Sequence, residues 1–401
     1  MLRHDGEDGV DALCRVAPHL RGVLPVQGPP GSGKTYAGSH AILALVRSGR
    51  TVGISALSHR VITHLLDAVM ALDDLGGRIV RAVQKADDDD GSTHERVTVA
   101  FSNTDVEAAV ALGAVNVVAG TSWLFARNGI HVDVLVVDEA GQLSLANTVS
   151  AGAAADSVIL LGDPQQLPQP SHGIHPDGAG VSALEHALGS HDTVPTDRGL
   201  FLETTRRMHP AICAPVSTLS YEGRLHPHAS LENQLVGGDD RLAGAGLRWA
   251  PVEHVGRSVE SPEEVGVVAK LVDRLTGRPW TDAAGATCAL GPDDILVVAP
   301  YNAQVARLLA ALRGRARVGT VDKFQGQQAP VVIVSLTTSS AADAPRGVHF
   351  VANRNRLNVA VSRARSLAIL VGNPALLSSP VTSLEQLRGV NALCTLVEAS
   401  T

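Results

Sequence analysis

Six short blocks of this chain carry residue types that act on phosphate groups. They are GPPGSGKT (28–35), VVDEAGQL (136–143), LLGDPQQLPQ (160–169), TRRMHP (205–210), VDKFQGQ (321–327) and RLNVAVSRAR (356–365). The first follows a short apolar run, Val23 to Val26, and opens a segment in which Ala37, Ala41, Ile42, Leu45 and Val46 recur at helical spacing. Strand, glycine loop and helix in that order form a cradle for a polyphosphate. Gly28, Gly31 and Gly33, with Pro29, Pro30 and Ser32 between them, let the backbone turn its N–H groups toward a β-phosphate. The helix N-terminus adds a positive dipole end. Lys34 is expected to reach the β- and γ-phosphates, and the Thr35 hydroxyl to hold Mg²⁺. Lysine is scarce, at 34, 85, 270 and 323 only, so its place in the pattern carries information.

The second block reads as a strand ending in acid. His131 to Val137 is a near-continuous apolar run, as in a parallel strand covered on both faces. Asp138 and Glu139 then fall at its carboxyl end, where ligands bind in open α/β sheets. Asp138 suits Mg²⁺, and Glu139 suits the base that activates an attacking water. Ser157 to Leu161 predicts another buried strand, running into the polar turn 162–168. Gln166 in that turn can sense a γ-phosphate through hydrogen bonds without adding charge.

GDPQQLP behind a DEAGQ turn resembles the superfamily 1 helicases. RRMHP, VDKFQGQ and LNVAVSRAR narrow the resemblance to subfamily B, the group of the nonsense-mediated-decay helicases, over nearly the whole chain. QGPPGSGKTY, GTSWLFAR, RRMHPAIC and SYEGRL are similar to the helicase half of bacterial fusions with a RecB-like nuclease. The resemblance implies two tandem RecA-like domains, each a doubly wound parallel α/β sheet of the P-loop class. It implies ATP and Mg²⁺ in the cleft between them, with Lys34, Asp138, Glu139 and Gln166 on one side. Arg207 and Arg363 match the two arginines that clamp the γ-phosphate from the other. A planar, permanently charged guanidinium suits the transferring group. Ser58, His59 and Thr121 match contacts to a nucleic-acid backbone in the first domain; Tyr301, Gln304 and Thr320 match those in the second. Gln325, Gly326 and Gln328 fall in the motif that couples nucleotide to strand. The implied partner is single-stranded or partly duplex DNA or RNA, traversed 5′ to 3′. A RecB-like nuclease, encoded separately or lost by truncation, is a further implied partner.

Three departures from the family pattern stand out. Gln328 occupies the place of a glutamate that meets the ribose. Arg206 replaces an aromatic residue that stacks on adenine, a stacking that its guanidinium plane can still perform. Only residues 1–27 precede the cradle, and no glutamine motif that reads adenine is visible among them. Selectivity for ATP over other nucleotides is therefore less firmly implied than hydrolysis. Two rival readings follow: a P-loop phosphotransferase or signalling NTPase, which leaves Arg207 and Arg363 idle, and a weakened nucleic-acid-binding module, motivated by Gln328.

The elements that must position these residues alternate between strand and helix patterns, which predicts parallel sheets. The expected division is 1–195 and 196–401, the link being the turn-rich stretch at Pro195 to Gly199. An insertion is expected at 76–116, where larger relatives carry an accessory barrel. Its Asp87-Asp88-Asp89-Asp90 run reads as solvated charge. In the second domain Ile295 to Ala299, Ala316 to Thr320, Val331 to Leu336 and Ser366 to Val371 predict buried strands; 231–262 and 337–348 predict loops. A net charge of −7 gives no overall attraction to nucleic acid, and with 3% aromatic residues a stacking-rich surface is not expected. Contacts to phosphate and sugar are expected to dominate. The four cysteines, at 14, 213, 288 and 394, lie too far apart for a zinc or iron–sulfur site of usual spacing. They point to a reducing compartment, the bacterial cytoplasm by compositional hint. No apolar run reaches membrane-spanning length, and a monomer is expected.

Overall fold

Apolar runs become parallel strands, and the segments between them become helices led by capping serines. Such is the architecture in the computed structural model, which describes every residue except 1, 88–89, 169–175, 177, 325 and 401. The chain divides into two compact units: Met1–Pro164 with Pro168–Glu203, and Gln165–Leu167 with Thr204–Thr401.

Among its described residues the first unit holds eight strands: β1 (Gly22–Gln27), β2 (Val52–Ser55), β3 (Ala82–Lys85), β4 (Val97–Ala100), β5 (Val117–Ala119), β6 (Val132–Val137), β7 (Ala155–Gly162) and β8 (Leu200–Phe201). They line up as β4-β3-β5-β2-β6-β7-β1-β8, and each neighbouring pair is parallel. All eight carboxyl ends therefore share one edge. Helix Lys34–Arg47 buries Ala37, Ala41, Ile42 and Leu45 on the sheet-facing side. Helix His59–Gly76 starts where the Ser58 side chain accepts from the Val61 N–H, which satisfies one of the first turn's unpaired donors.

Pro25 sits inside β1 but has a strand partner on one side only. Leu160 of β7 faces it, and β8 does not begin until Val26, so no ladder bond is lost on that side. At 196–203 the structure corrects the expected division. β8 pairs with β1 and the Leu202 N–H donates to the Gln27 carbonyl at 2.9 Å, which carries these residues into the first unit. The region 76–116 is likewise no separate insertion. β3 and β4 extend the main sheet by parallel pairing, and helix Asn103–Ala111 connects β4 to β5. Four-residue strands flanked by charge leave too short an apolar signal to read.

The second unit carries β9 (Gly246–Pro251), β10 (Ile295–Val298), β11 (Arg317–Gly319), β12 (Ala329–Ser335) and β13 (Ala364–Gly372), in the parallel order β9-β13-β12-β10-β11. β10 to β13 are the expected strands; β9 falls in a stretch expected to be loop. It is an edge strand whose only partner strand among the described residues is β13, buried at Gly246 and Leu247, half-exposed from Arg248 to Ala250 and ending on proline. An edge strand needs no continuous apolar run, so periodicity missed it. Helix Pro262–Leu275 buries Val268, Leu271, Val272 and Leu275 against this sheet.

The turn after β6 and the end of β7 meet through glycines. A Cβ on Gly162 would lie 2.7 Å from the Gly141 nitrogen, and one on Gly141 2.8 Å from the Asp163 carbonyl oxygen. Backbone atoms cannot yield there as a flexible side chain would. Gly162→Ala is expected to cost about 1–3 kcal/mol by overpacking. Gly266→Ala, on a helix with nothing within 4 Å, should gain up to about 1 kcal/mol. Thermal unfolding of the two variants beside the parent checks both signs.

Candidate active site

The loop after β1 is shaped by its glycines. Gly31 and Gly33 adopt φ of +75° and +81°, a region that a Cβ disfavours. A Cβ on Gly28 would stand 2.2 Å from Lys34 Cγ. The Gly28 N–H donates to the Gly162 carbonyl at 2.8 Å, tying the loop to the end of β7. Lys34 opens the helix, and its ammonium donates back across the loop to the Gly28 carbonyl at 2.9 Å. Ser32 Oγ is buried with no hydrogen-bond partner among the described residues. An unpaired hydroxyl inside a loop closed by an ammonium is a cradle built for an oxyanion. Pro29 and Pro30 are buried beneath it; Thr35 is half-exposed in the first helical turn.

Asp138 and Glu139 follow β6. Asp138 is 4% exposed, and its backbone N–H donates to the Ser55 carbonyl at 2.8 Å. Burial first, and the Glu139 charge second, push its carboxyl up to about 7, with Lys34 pulling the other way. A buried carboxylate that lacks a cation is costly, which is the environment a divalent ion would relieve. Glu139 takes φ of +51°, and its N–H donates to Asp138 Oδ1 at 2.8 Å. Strain of this kind in a non-glycine residue is common at catalytic positions. Gln27, the last residue of β1, was not foreseen. It is fully buried, accepts from the Val194 N–H at 2.8 Å and donates to the Asp192 carbonyl at 3.2 Å.

Gln165 and Gln166 belong with the second unit. Asn355 Nδ2 donates to the Gln166 carbonyl at 2.9 Å, and Arg354 to Gln165 Oε1 at 2.6 Å. Asn358 Nδ2 reaches both the Gln165 carbonyl and the buried Tyr221 hydroxyl, each at 2.8 Å. Tyr221 and Asn358 were legible in SYEGRL and RLNVAVSRAR only as wording, not as partners. Arg207 donates to Gln328 Oε1 at 2.9 Å and to the Ser362 carbonyl at 3.3 Å. Burial, then the Arg363 charge, pulls Arg207 down to about 9. Arg363 is buried and donates to the Gln327 carbonyl at 3.4 Å. Arg207, whose charge is disfavoured by burial and by Arg363, faces an amide where a carboxylate would neutralise it, an environment suited to an anion.

Other expected residues fall as follows. Arg206 is exposed, Gly326 takes φ of +78°, and Thr320 is half-exposed just past β11. Gln325 lies outside the described residues. Ser58 is exposed as a helix cap, His59 lies 3.6 Å from Asp87, and Thr121 is half-exposed after β5. Two expectations are corrected. Gln304 is fully buried, accepting from the Ser261 N–H and donating to Ser335 Oγ, so it braces the fold rather than meeting a strand. Tyr301 is buried against Phe350, ring centroids 5.4 Å apart, with the Arg356 guanidinium 4.2 Å from the Phe350 centroid. Both residues sit where the chain turns into helix Asn302–Leu312, and helical spacing directs them inward.

Two family models, each described as an AAA domain, match residues 7–176 and 180–375. Among curated relatives, the DNA-binding protein SMUBP-2 of Mesocricetus auratus is 28% identical over 86% of this chain and 40% of its own length. The DNA replication ATP-dependent helicase/nuclease JHS1 of Arabidopsis thaliana is 25% identical over 88% of this chain and 27% of its own. The putative helicase mov-10-B.1 of Danio rerio is 29% identical over 62% and 28%. The two matches lie side by side along the chain, and the relatives named as helicases are similar to it in keeping with the superfamily 1 resemblance of its motifs. The chain spans between a quarter and two-fifths of the length of these relatives. Similarity to AAA domains and to an ATP-dependent helicase implies use of a nucleotide, which the phosphate cradle after β1 is built to receive. Among the described residues no helix is long and apolar enough to cross a membrane.

Because the Asp138 carboxyl is raised in the folded protein, the folded state holds its proton to higher pH than the unfolded one. Stability from this group is therefore complete below about pH 4 and is lost as pH rises through about 7. Asp138→Asn in metal-free protein should raise the melting temperature by a few degrees at pH 8, about 2–4 °C for each kcal/mol, and leave it unchanged at pH 4. Paired melts at the two pH values check this.

Proposed function

We propose that the chain is an ATP-dependent motor that moves along single-stranded DNA or RNA, 5′ to 3′. Lys34 leaves the Gly28 carbonyl to meet the β- and γ-phosphates, and the Gly28–Gly33 backbone with Ser32 holds their oxygens. Thr35 and Asp138 are the residues that would hold Mg²⁺, which neutralises charge on the phosphates when bound. Two such oxygen ligands would suit a Mg²⁺ held jointly with substrate phosphates rather than by a protein cage. Glu139 takes the proton of the attacking water. Arg207 and Arg363 place positive charge on the transferred group, and Gln166 reports the nucleotide's state to the second unit's helix that begins at Arg354.

Arg206 stands free to stack on the base. Ser58, His59, Thr121 and Thr320 meet the nucleic acid, and Gln325 and Gly326 couple it to hydrolysis. The observation that carries this function is the pairing of a closed phosphate cradle, with an unpaired buried hydroxyl, and a buried carboxylate after β6. A monomer in the bacterial cytoplasm is the setting we propose, in keeping with four free cysteines. A separately encoded RecB-like nuclease would be its partner.

ATP hydrolysis by the purified chain should rise severalfold with single-stranded DNA or RNA, and Lys34→Ala should abolish it. Turnover by Lys34→Ala equal to the parent would sink the nucleotide assignment; turnover indifferent to nucleic acid would favour a non-motor NTPase. Gln328→Glu would give Arg207 a carboxylate partner in place of the amide at 2.9 Å. The pair competes with phosphate for the guanidinium, so kcat should fall several-fold at little change in KM. Steady-state kinetics of that variant decide whether Gln328 marks a weakened enzyme or a tuned one.

A further inference from the structure

Three aromatic rings stand exposed among the described residues: Tyr36, Phe101 and Trp123. Each follows the carboxyl end of a strand of the first unit's sheet. Tyr36 lies on the helix after the phosphate cradle, where its ring meets His40 at 3.9 Å. Phe101, 66% exposed, comes directly after β4, and Trp123, 76% exposed, comes four residues after β5. Leu57, also exposed, follows β2. The register sets Ile54 of β2, Ala119 of β5 and Gln84 of β3 level with one another, with Val99 of β4 beside Gln84. β3 alone separates β4 from β5, so the two ring-bearing ends stand about 10 Å apart. That is close enough for nucleotides of one strand to occupy both.

Large apolar side chains left open in a chain so poor in aromatic residues call for a ligand. The charges around them say which part of a nucleic acid it presents. Lys85 is taken by Asp87 at 2.6 Å, and the same carboxylate faces His59 at 3.6 Å. Arg127 pairs with Glu107 at 3.1 Å. Asp90 and Asp105 are exposed nearby, against Arg60 as an exposed cation with no ion pair among the described residues. This half of the edge therefore offers phosphates little net attraction, whereas every base has a face that stacks on a ring.

Building on the motor function proposed above, we infer that Trp123 and Phe101 form a base-stacking platform for single-stranded nucleic acid, which lies bases-inward along the carboxyl ends of β5, β3 and β4. Thr121 and Ser58 flank this track and meet the sugar–phosphate chain at its margin. Sequence order hides the platform, because Phe101 and Trp123 come together only through the pairing of β3 with both neighbours.

The test is a titration of the full chain with oligodeoxythymidylate and with oligouridylate, following tryptophan emission. Trp280 is buried and Trp249 half-buried, so Trp123 dominates the response. Strong quenching is expected, with Kd raised at least about fivefold by Trp123→Ala and by Phe101→Ala, and mostly restored by Trp123→Phe. Affinity should fall gently with salt, with a log–log slope no steeper than about −1.5, or roughly two phosphates. Unquenched emission or unchanged Kd in Trp123→Ala, with ATPase still stimulated by the same oligomers, would overturn the platform and leave the motor standing. No binding and no stimulation would overturn both. Emission that shifts with protein concentration and ignores oligomers would make the patch a protein-docking surface, and the inference wrong.

Discussion

Parallel pairing in register is the constraint on which the first unit's chemistry depends. Gln27 of β1 lies opposite Gly162 of β7, Leu160 of β7 opposite Val137 of β6, and Val137 opposite Ser55 of β2. Four strands thus end nearly level, and the residues that follow them emerge together: the cradle from Gly28, the acid at Asp138, the turn at Asp163 and the loop at Ala56. A shift of one residue in any pair would move an acid or a loop away from its neighbours and invert which side chains face the core. The glycines at 141 and 162 are the steric condition of that convergence, since they allow the turns after β6 and β7 to touch backbone to backbone.

The same edge divides into two halves of different character. The β1-β7-β6 half gathers a cation, an unpaired hydroxyl and a buried carboxylate, a set suited to phosphate and its counterion. The β2-β5-β3-β4 half gathers exposed rings and no surplus of positive charge, a set suited to bases. β2 joins the two halves physically. Its last residue, Ser55, accepts the Asp138 N–H, and its following loop leads into Ser58 and His59. A change in the charge borne by Asp138 thus acts on backbone that is bonded to the strand leading to Ser58 and His59. In the second unit the corresponding economy is polar: Tyr221, Asn358, Gln165 and Gln166 are held in one hydrogen-bonded cluster on the helix that leads to Arg363.

Sequence blocks with a fixed backbone geometry were legible at residue level. GPPGSGKT dictated loop, helix start and lysine because left-handed glycines and a helix N-terminus leave few alternatives. The acid after β6 was legible because a run of buried apolar residues must end where the chain meets water. Tyr301 and Gln304 were misread for a matching reason. A motif gives a residue's place along the chain, but the helix phase at Asn302–Leu312 gives its direction, and that phase points both inward. The edge strand β9 and the four-residue strands β3 and β4 escaped because their apolar signal is short or one-sided, and pairing rather than periodicity makes them strands.

What the sequence determined by itself is local: the parallel α/β class, the phosphate cradle, the acid pair and the two arginine blocks, each written in residues adjacent along the chain. What only the tertiary structure decided is which distant residues share an environment. It set Gln328 on Arg207, joined Asn358 to Tyr221 and Gln165, buried Asp138 enough to raise its carboxyl, and brought Phe101 and Trp123 to one edge. Local pattern follows from backbone sterics and from the period of burial. Shared environment depends on strand order and register, which long-range pairing selects and no short stretch of sequence contains.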